Sequence, residues 1–289
     1  MNNRKGIILA GGLGTRLYPM TLCISKQLLP VYDKPMIYYP ISVLMLSGIK
    51  EFLLITSQKD LDQFKSLLHD GSQWGIKIYY KIQPKPEGLA QALILAEDFL
   101  NGSPSTLILG DNIFFGNKLS DLLIKSSNNN FNCTIFGYHV SNPKRYGVIN
   151  FKDKKPISIE EKPFNPKSNF AIPGLYFFDN SASSRAKNIT PSKRGELEII
   201  DLIKSYLEDK MLNVEIMGRG FTWFDTGTQN SLLDASNFIC SIFNRQRLIV
   251  GSPDELAYRL GFIDTKKFKE NISKFKDNDY YNSLLNLID

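Results

Sequence analysis

Cysteine is scarce in this chain of 289 residues: Cys23, Cys133 and Cys240 are the only three. They lie far apart and are odd in number, which argues against a disulfide framework or a zinc cluster and fits a reducing cytosol. No apolar run approaches the roughly 20 residues that a membrane-spanning helix needs. The apolar part of the opening MNNRKGIILAGG is too short for a signal peptide. No dense Lys/Arg tract and no basic stretch interleaved with aromatics is present, so neither a nucleic-acid nor a membrane partner is expected. Two common nucleotide motifs are missing as well. Counting G-x-G-x-x-G from Gly12 puts Leu17 where the third glycine belongs, and Gly-Lys-Ser/Thr occurs nowhere.

What remains is ordinary in bulk and specific in one place. A hydrophobic content of 43% with 22% charged residues suits a globular enzyme with a substantial core. The net charge of +6 suits anionic substrates and a solvated surface equally. The specific place is residues 6–35. The apolar run Ile7-Ile8-Leu9-Ala10 stops at Gly11-Gly12-Leu13-Gly14-Thr15-Arg16, which reads as a buried strand entering a glycine-rich loop. Glycines let backbone approach a bulky anion, and consecutive N–H groups cradle phosphate oxygens. Arg16 adds a planar cation suited to phosphate, and Lys26 follows with no acidic residue between. The glycines taken alone also fit a purely structural loop after the first strand of an α/β domain.

Short β-rich runs alternate with helix-like stretches through the first half. Strands are predicted at 7–10, 52–56, 77–82 and 106–109, and helices at 36–46 and 89–100. That alternation implies an α/β fold with a doubly wound, mostly parallel sheet, whose ligands sit beyond the carboxyl ends of the strands. Both the glycine loop and Asp111 fall at such ends. The middle is strand-rich, at 133–140, 146–151, 157–162 and 175–178, and is expected to extend or cover the main sheet. A helix over about 196–208, opened by Gly195, and a helical tail from about 228 complete the reading.

The order and spacing of Gly11-Gly12, Gly14-Thr15-Arg16-Leu17, Pro19, Thr21, Lys26, Pro30 and Lys34-Pro35 resemble the sugar nucleotidyltransferases. The likeness spans residues 4–285 or so and takes in SKQLLPVYDKPMIYYP, EGLAQA, LGDNIF, RYGV, EEKP, RGELEI and FDTGT. Among these enzymes the chain is most similar to the short bacterial glucose-1-phosphate thymidylyltransferases. The resemblance implies a Rossmann-like catalytic domain over 1–228, with a nucleotide half over about 1–115 and a sugar half over about 130–228. Residues 229–289 would be a helical packing or oligomer region and not an independent domain. The implied reaction joins dTTP to α-D-glucose 1-phosphate with the help of Mg2+. A cytoplasmic homotetramer early in deoxysugar synthesis is implied too. Alternatives are a relative using UTP or another sugar phosphate, and a sugar-nucleotide sensor without catalysis.

Nucleotidyl transfer needs in-line positioning, neutralised phosphates and a stabilised leaving pyrophosphate. The resemblance assigns catalysis to Arg16, Lys26, Asp111 and Asp225, and Mg2+ to the two aspartates. Read alone, each aspartate is equally a turn residue. The nucleotide would be held by Gly11, Gly12, Gly14, Thr15, Arg16 and Gln27, with its base read by Gln83 and near Gly88. Gln83 suits a pyrimidine edge because an amide both donates and accepts. Asn112, Tyr146, Gly147, Glu161, Lys162, Ile172, Tyr176 and Trp223 would line the sugar-phosphate pocket. Taken alone, Tyr176 and Trp223 read as core aromatics and Glu160-Glu161-Lys162-Pro163 as a solvated string. Pro173 stands where relatives carry a small polar residue, and it lacks an N–H. Phe115, Gly116, Arg219, Gly220, Ser252 and Glu255 match a second nucleotide site that carries feedback inhibition in the family.

Overall fold

The structure, a computed structural model, describes residues 3–275 and 278–288. Its strands, in chain order, are β1 (Lys5–Ala10), β2 (Pro30–Val31), β3 (Lys34–Pro35), β4 (Glu51–Thr56), β5 (Lys77–Ile82), β6 (Ser105–Leu109), β7 (Ile113–Gly116), β8 (Cys133–His139), β9 (Gly147–Lys152), β10 (Lys155–Glu161), β11 (Phe170–Ala171), β12 (Leu175–Phe178), β13 (Leu212–Met217) and β14 (Phe221–Phe224). One large sheet has the order β10-β9-β11-β8-β12-β6-β1-β4-β5, with β13 on the other side of β8. Strand β1 lies at the centre of a parallel block, with Ile8 opposite both Leu54 and Ile108. Alternation sends Ile7 and Leu9 to one face and Ile8 and Ala10 to the other, and both faces are packed. That is why β1 reads as a continuous apolar run. The helix Tyr38–Leu46 is buried almost all round and packs against one face.

The expected α/β sheet is present, with three differences. The region 89–100 is two short helices, Gln91–Leu95 and Glu97–Leu100, because the chain turns at Ala96. The helix expected from 196 begins at Ile199, while Gly195, at φ +75°, lies in the preceding turn. As expected, the middle strands extend the sheet, and β12 is the one that joins them to the parallel block. It is inserted antiparallel between β6 and β8, so it welds the two halves into one sheet. The ribbon formed by β7 and β14 was not expected at all.

The tail is helical. Gln229–Gln246 opens with a capping box at Thr228 and Ser231. Its Leu232, Ala235 and Ile239 share a core with Leu17, Leu29, Val31, Met36 and Tyr39. Farther along, the buried Asp254 accepts from Trp74 Nε1 and Tyr280 OH, each at 3.0 Å. Burial holds its carboxyl above the usual range.

Arg4 sits at the mouth of β1 and is 3% exposed. Its guanidinium donates to the carbonyls of Ser105, Phe178, Ser127 and Asn129 at 2.5–2.9 Å. Burial lowers its pKa to about 10, which leaves it charged at neutral pH. It thus ties the starts of β1 and β6 to the end of β12 and to the loop after the helix Leu119–Ser127. Arg4→Met keeps the stem but strands these acceptors, and it should cost about 3 kcal/mol or more. Urea unfolding reads this directly, and an unchanged midpoint would show that the carbonyls find other donors.

Candidate active site

The chain leaves β1 at Ala10 and turns through the glycines into one 3-10 turn, Thr15–Leu17. Gly14 has φ +63°, a conformation that a β-carbon strains, and its carbonyl accepts from Thr21 Oγ1 at 2.8 Å. At Gly11 a β-carbon would lie 2.0 Å from Gln83 Oε1, so only glycine fits. Gly12, Gly14, Thr15, Arg16, Lys26 and Gln27 line a cavity of about 320 Å³.

Lys26 opens a second short turn and is 6% exposed. Its Nζ donates to Asp111 Oδ2 at 2.5 Å and to the carbonyl of Asp225 at 3.3 Å. Asp111 follows β6 and precedes β7, while Asp225 follows β14. Phe224 pairs with Ile113, so the ribbon brings two aspartates distant in sequence to adjacent turns. The other oxygen of Asp111 accepts from Asn112 Nδ2 at 2.8 Å. Asn112 Oδ1 in turn accepts from Trp223 Nε1 at 2.6 Å and from Gly174 N at 3.0 Å. Asp225 Oδ2 accepts from Tyr146 OH at 3.2 Å and from Arg145 Nη2 at 3.3 Å. Burial, then the neighbouring Asp225 carboxylate, push the Tyr146 phenol up to about 12, so it remains a donor at neutral pH.

A larger cavity, about 610 Å³, adjoins the first and shares Arg16, Asp111 and Glu196 with it. All eight residues expected at the sugar phosphate line it: Asn112, Tyr146, Gly147, Glu161, Lys162, Ile172, Tyr176 and Trp223. Tyr176 and Trp223 are core residues as well, each presenting one edge to the cleft. Asp225 completes the wall. Pro173 lies beside it, and the N–H of the next residue, Gly174, is held by Asn112.

Five charged lining residues were given no role from sequence: Lys144, Arg145, Arg194, Glu196 and Glu198. Arg194 is the most prominent. Its Nη2 meets Glu198 Oε1 at 2.8 Å and Glu161 Oε1 at 3.4 Å, beside the 3.2 Å pair of Lys162 with Glu161. The signal was legible in RGELEI and RYGV, which both belong to the resemblance.

Gly11, Gln83 and Gly88 are not among the residues that line these two cavities. Gln83 Nε2 donates to Gln91 Oε1 at 2.6 Å, and Gln91 Nε2 donates to Glu87 at 2.7 Å. Gln83 is therefore locked with its Oε1 toward Gly11. Gly88, at φ +108°, lies against the backbone of Leu197, which is bonded to both Glu87 and Ala90.

The six residues matched to a second site are brought together in part. Phe115, Gly116 and Glu255 line a separate cavity of about 250 Å³ with Val250 and Gly251. Arg219 and Gly220 are exposed on the turn joining β13 to β14 and do not line it. Ser252 is fully buried, capping Pro253–Arg259 through Glu255 N and meeting Tyr280 OH at 2.7 Å.

No cluster of three or more His, Cys, Asp or Glu side chains able to hold a metal exists among the described residues. Asp111 and Asp225 nonetheless offer hard oxygen donors on either side of Lys26, where the two cavities meet. Such a pair suits Mg2+, which commonly takes one or two carboxylates and completes its shell from substrate phosphates and water.

The nucleotidyl transferase family model matches residues 5–242. Over 281 residues the chain is 53% identical to a glucose-1-phosphate thymidylyltransferase of Xanthomonas campestris pv. campestris, covering 97% of this chain and 95% of that protein. A Neisseria meningitidis protein of the same name is 51% identical over 285 residues, covering 98% and 99%. A Bacillus anthracis chain described as a glucose-1-phosphate thymidylyltransferase, solved with sucrose, superimposes with a TM-score of 0.76 at 40% identity, covering 81% of this chain and 94% of that one. With its glycine loop, its paired aspartates and its two joined cavities, this chain belongs to the nucleotidyl transferase family, in the group of the glucose-1-phosphate thymidylyltransferases.

Proposed function

We propose that the protein transfers a thymidylyl group from dTTP to α-D-glucose 1-phosphate, releasing pyrophosphate and forming dTDP-glucose. The observation that carries this reading is the cluster of Lys26, Asp111, Asp225 and Arg16 at the junction of the two cavities. One cavity opens on the glycine loop and would take the triphosphate. The other, edged by Lys162 and Arg194, would take the sugar phosphate. A phosphate oxygen of the sugar phosphate attacks the α-phosphorus while the bond to the bridging oxygen of pyrophosphate breaks. Arg16 and the loop N–H groups hold the β- and γ-phosphates, and Lys26 neutralises charge at the transferring phosphorus. Lys162 and Arg194 orient the attacking phosphate, and Glu161 accepts from sugar hydroxyls. Asp111 and Asp225 would hold Mg2+, which when bound supplies charge neutralisation on the triphosphate. The locked Gln83 would present Oε1 to a pyrimidine N3–H.

The reading also includes a homotetramer, with 1–228 as the catalytic unit and 229–289 as a packing region whose core is shared with it. A cytoplasmic setting goes with this, supported by three unpaired cysteines. We further read the 250 Å³ cavity beside Gly116 and Glu255 as the second, regulatory nucleotide site.

Pyrophosphate release with glucose 1-phosphate and Mg2+ tests the reaction across dTTP, UTP, CTP, ATP and GTP. Turnover should be highest with dTTP. Included as a control, dUTP, which differs from dTTP only by the base methyl, should follow within about tenfold in kcat/KM, because one buried methyl is worth about 1 kcal/mol. Turnover confined to a purine nucleotide would overturn the assignment. Asp111→Asn should lower kcat about 100-fold or more with circular dichroism unchanged, and a fully active variant would remove Asp111 from the mechanism. At the regulatory site, dTDP-rhamnose should lower turnover even at saturating dTTP. Purely competitive inhibition would confine it to the active site.

A further inference from the structure

The two aspartates meet through a single turn, Asp225-Thr226-Gly227, and its central residue is the unusual one. Thr226 has φ +36°, in the left-handed region that a β-branched residue occupies only at a cost. Its side chain is fully buried. The hydroxyl donates to the main-chain carbonyl of Asp111 at 2.7 Å and touches Met36 Sδ at 3.3 Å. Its two neighbours face the other cations. The Asp225 carbonyl accepts from Lys26, and Gly227 leaves room for Arg16, whose guanidinium would lie 3.3–3.4 Å from a β-carbon placed there. Starting the following helix does not require Thr226, because Thr228 and Ser231 form that cap by themselves. Strain of this kind persists only where the surroundings over-determine it.

We infer that Thr226 is a positioning residue for the reaction: its buried hydroxyl bond to the Asp111 backbone sets how far apart the Asp111 and Asp225 carboxylates stand. The link is direct, since it joins the turn carrying one aspartate to the turn carrying the other. The inference rests on the reading of these aspartates as metal holders, and the controls separate the two.

The test compares Thr226→Val, which keeps the shape and the branched β-carbon but not the hydroxyl, with Thr226→Ser, which keeps the hydroxyl. Mn2+ binding is read by electron paramagnetic resonance on the dTTP complex without sugar phosphate, alongside kcat, the KM for glucose 1-phosphate and the thermal midpoint. T226V should weaken Mn2+ binding and lower kcat about tenfold or more. Its KM for glucose 1-phosphate should stay within about threefold of the parent, and T226S should restore both losses to about the same margin. Should T226V not fold, Thr226→Ala against T226S makes the same comparison. Normal Mn2+ binding in T226V, or an equal loss in T226S, would overturn the inference while leaving the metal reading intact, provided Asp111→Asn still loses Mn2+. If D111N binds Mn2+ as the parent does, both fall together.

Discussion

A buried ammonium is tolerated only among oxygens, and Lys26 is buried at the point where every other part of the site meets. Its partners come from two remote places, the side chain of Asp111 and the backbone of Asp225. Folding the chain therefore requires the end of β6, the end of β14 and the loop after β1 to converge. Around that contact the remaining groups fall into order. Asn112 fixes one oxygen of Asp111 and accepts from Trp223 and Gly174, while Tyr146 and Arg145 fix Asp225. Hydrogen bonds to charged groups are the stronger ones, and both carboxylates are held by them.

The cleft lies over a sheet whose two halves are joined by β12. On one side, parallel β1, β4, β5 and β6 present their carboxyl ends toward the glycine loop and its cavity, as the topology of such sheets dictates. On the other, β9 and β10 carry Gly147 and Glu161 to the larger cavity. The Gly88–Leu197 contact closes the structure across the top, since a side chain at Gly88 would strike the Leu197 backbone. It draws the RGELEI segment, and Arg194 with it, over the cleft.

The helical tail is fastened by polar as well as apolar contacts. Lys34 is almost wholly buried and pairs with Asp33 at 2.5 Å, and its ammonium lies over the rings of Tyr39 and Tyr280. Burial lowers its pKa, as it raises that of Asp254 nearby. Since Lys34 follows Lys26 on the same short stretch, the active-site loop is gripped at one end by the cleft and at the other by the tail.

Residues 7–17 carried their own reading because strand, glycine loop and cation are consecutive, and local chemistry suffices there. The parallel block was legible for the same reason, since β1, β4, β5 and β6 are short apolar runs spaced by helices. The sugar-side residues came from resemblance, and the structure gathers all eight around one cavity. The insertion of β12 and the β7–β14 ribbon were out of reach, because each depends on partners distant in sequence. Arg145 and Arg194 stand in the motifs RYGV and RGELEI, but their surroundings exist only once the segments meet. What the sequence determined by itself is which groups are available: a glycine-rich loop, two cations and two aspartates. Their separation, their hydrogen-bond partners and the strained turn at Thr226 that links them were decided by the tertiary structure, because long-range pairing alone brings Asp111 beside Asp225.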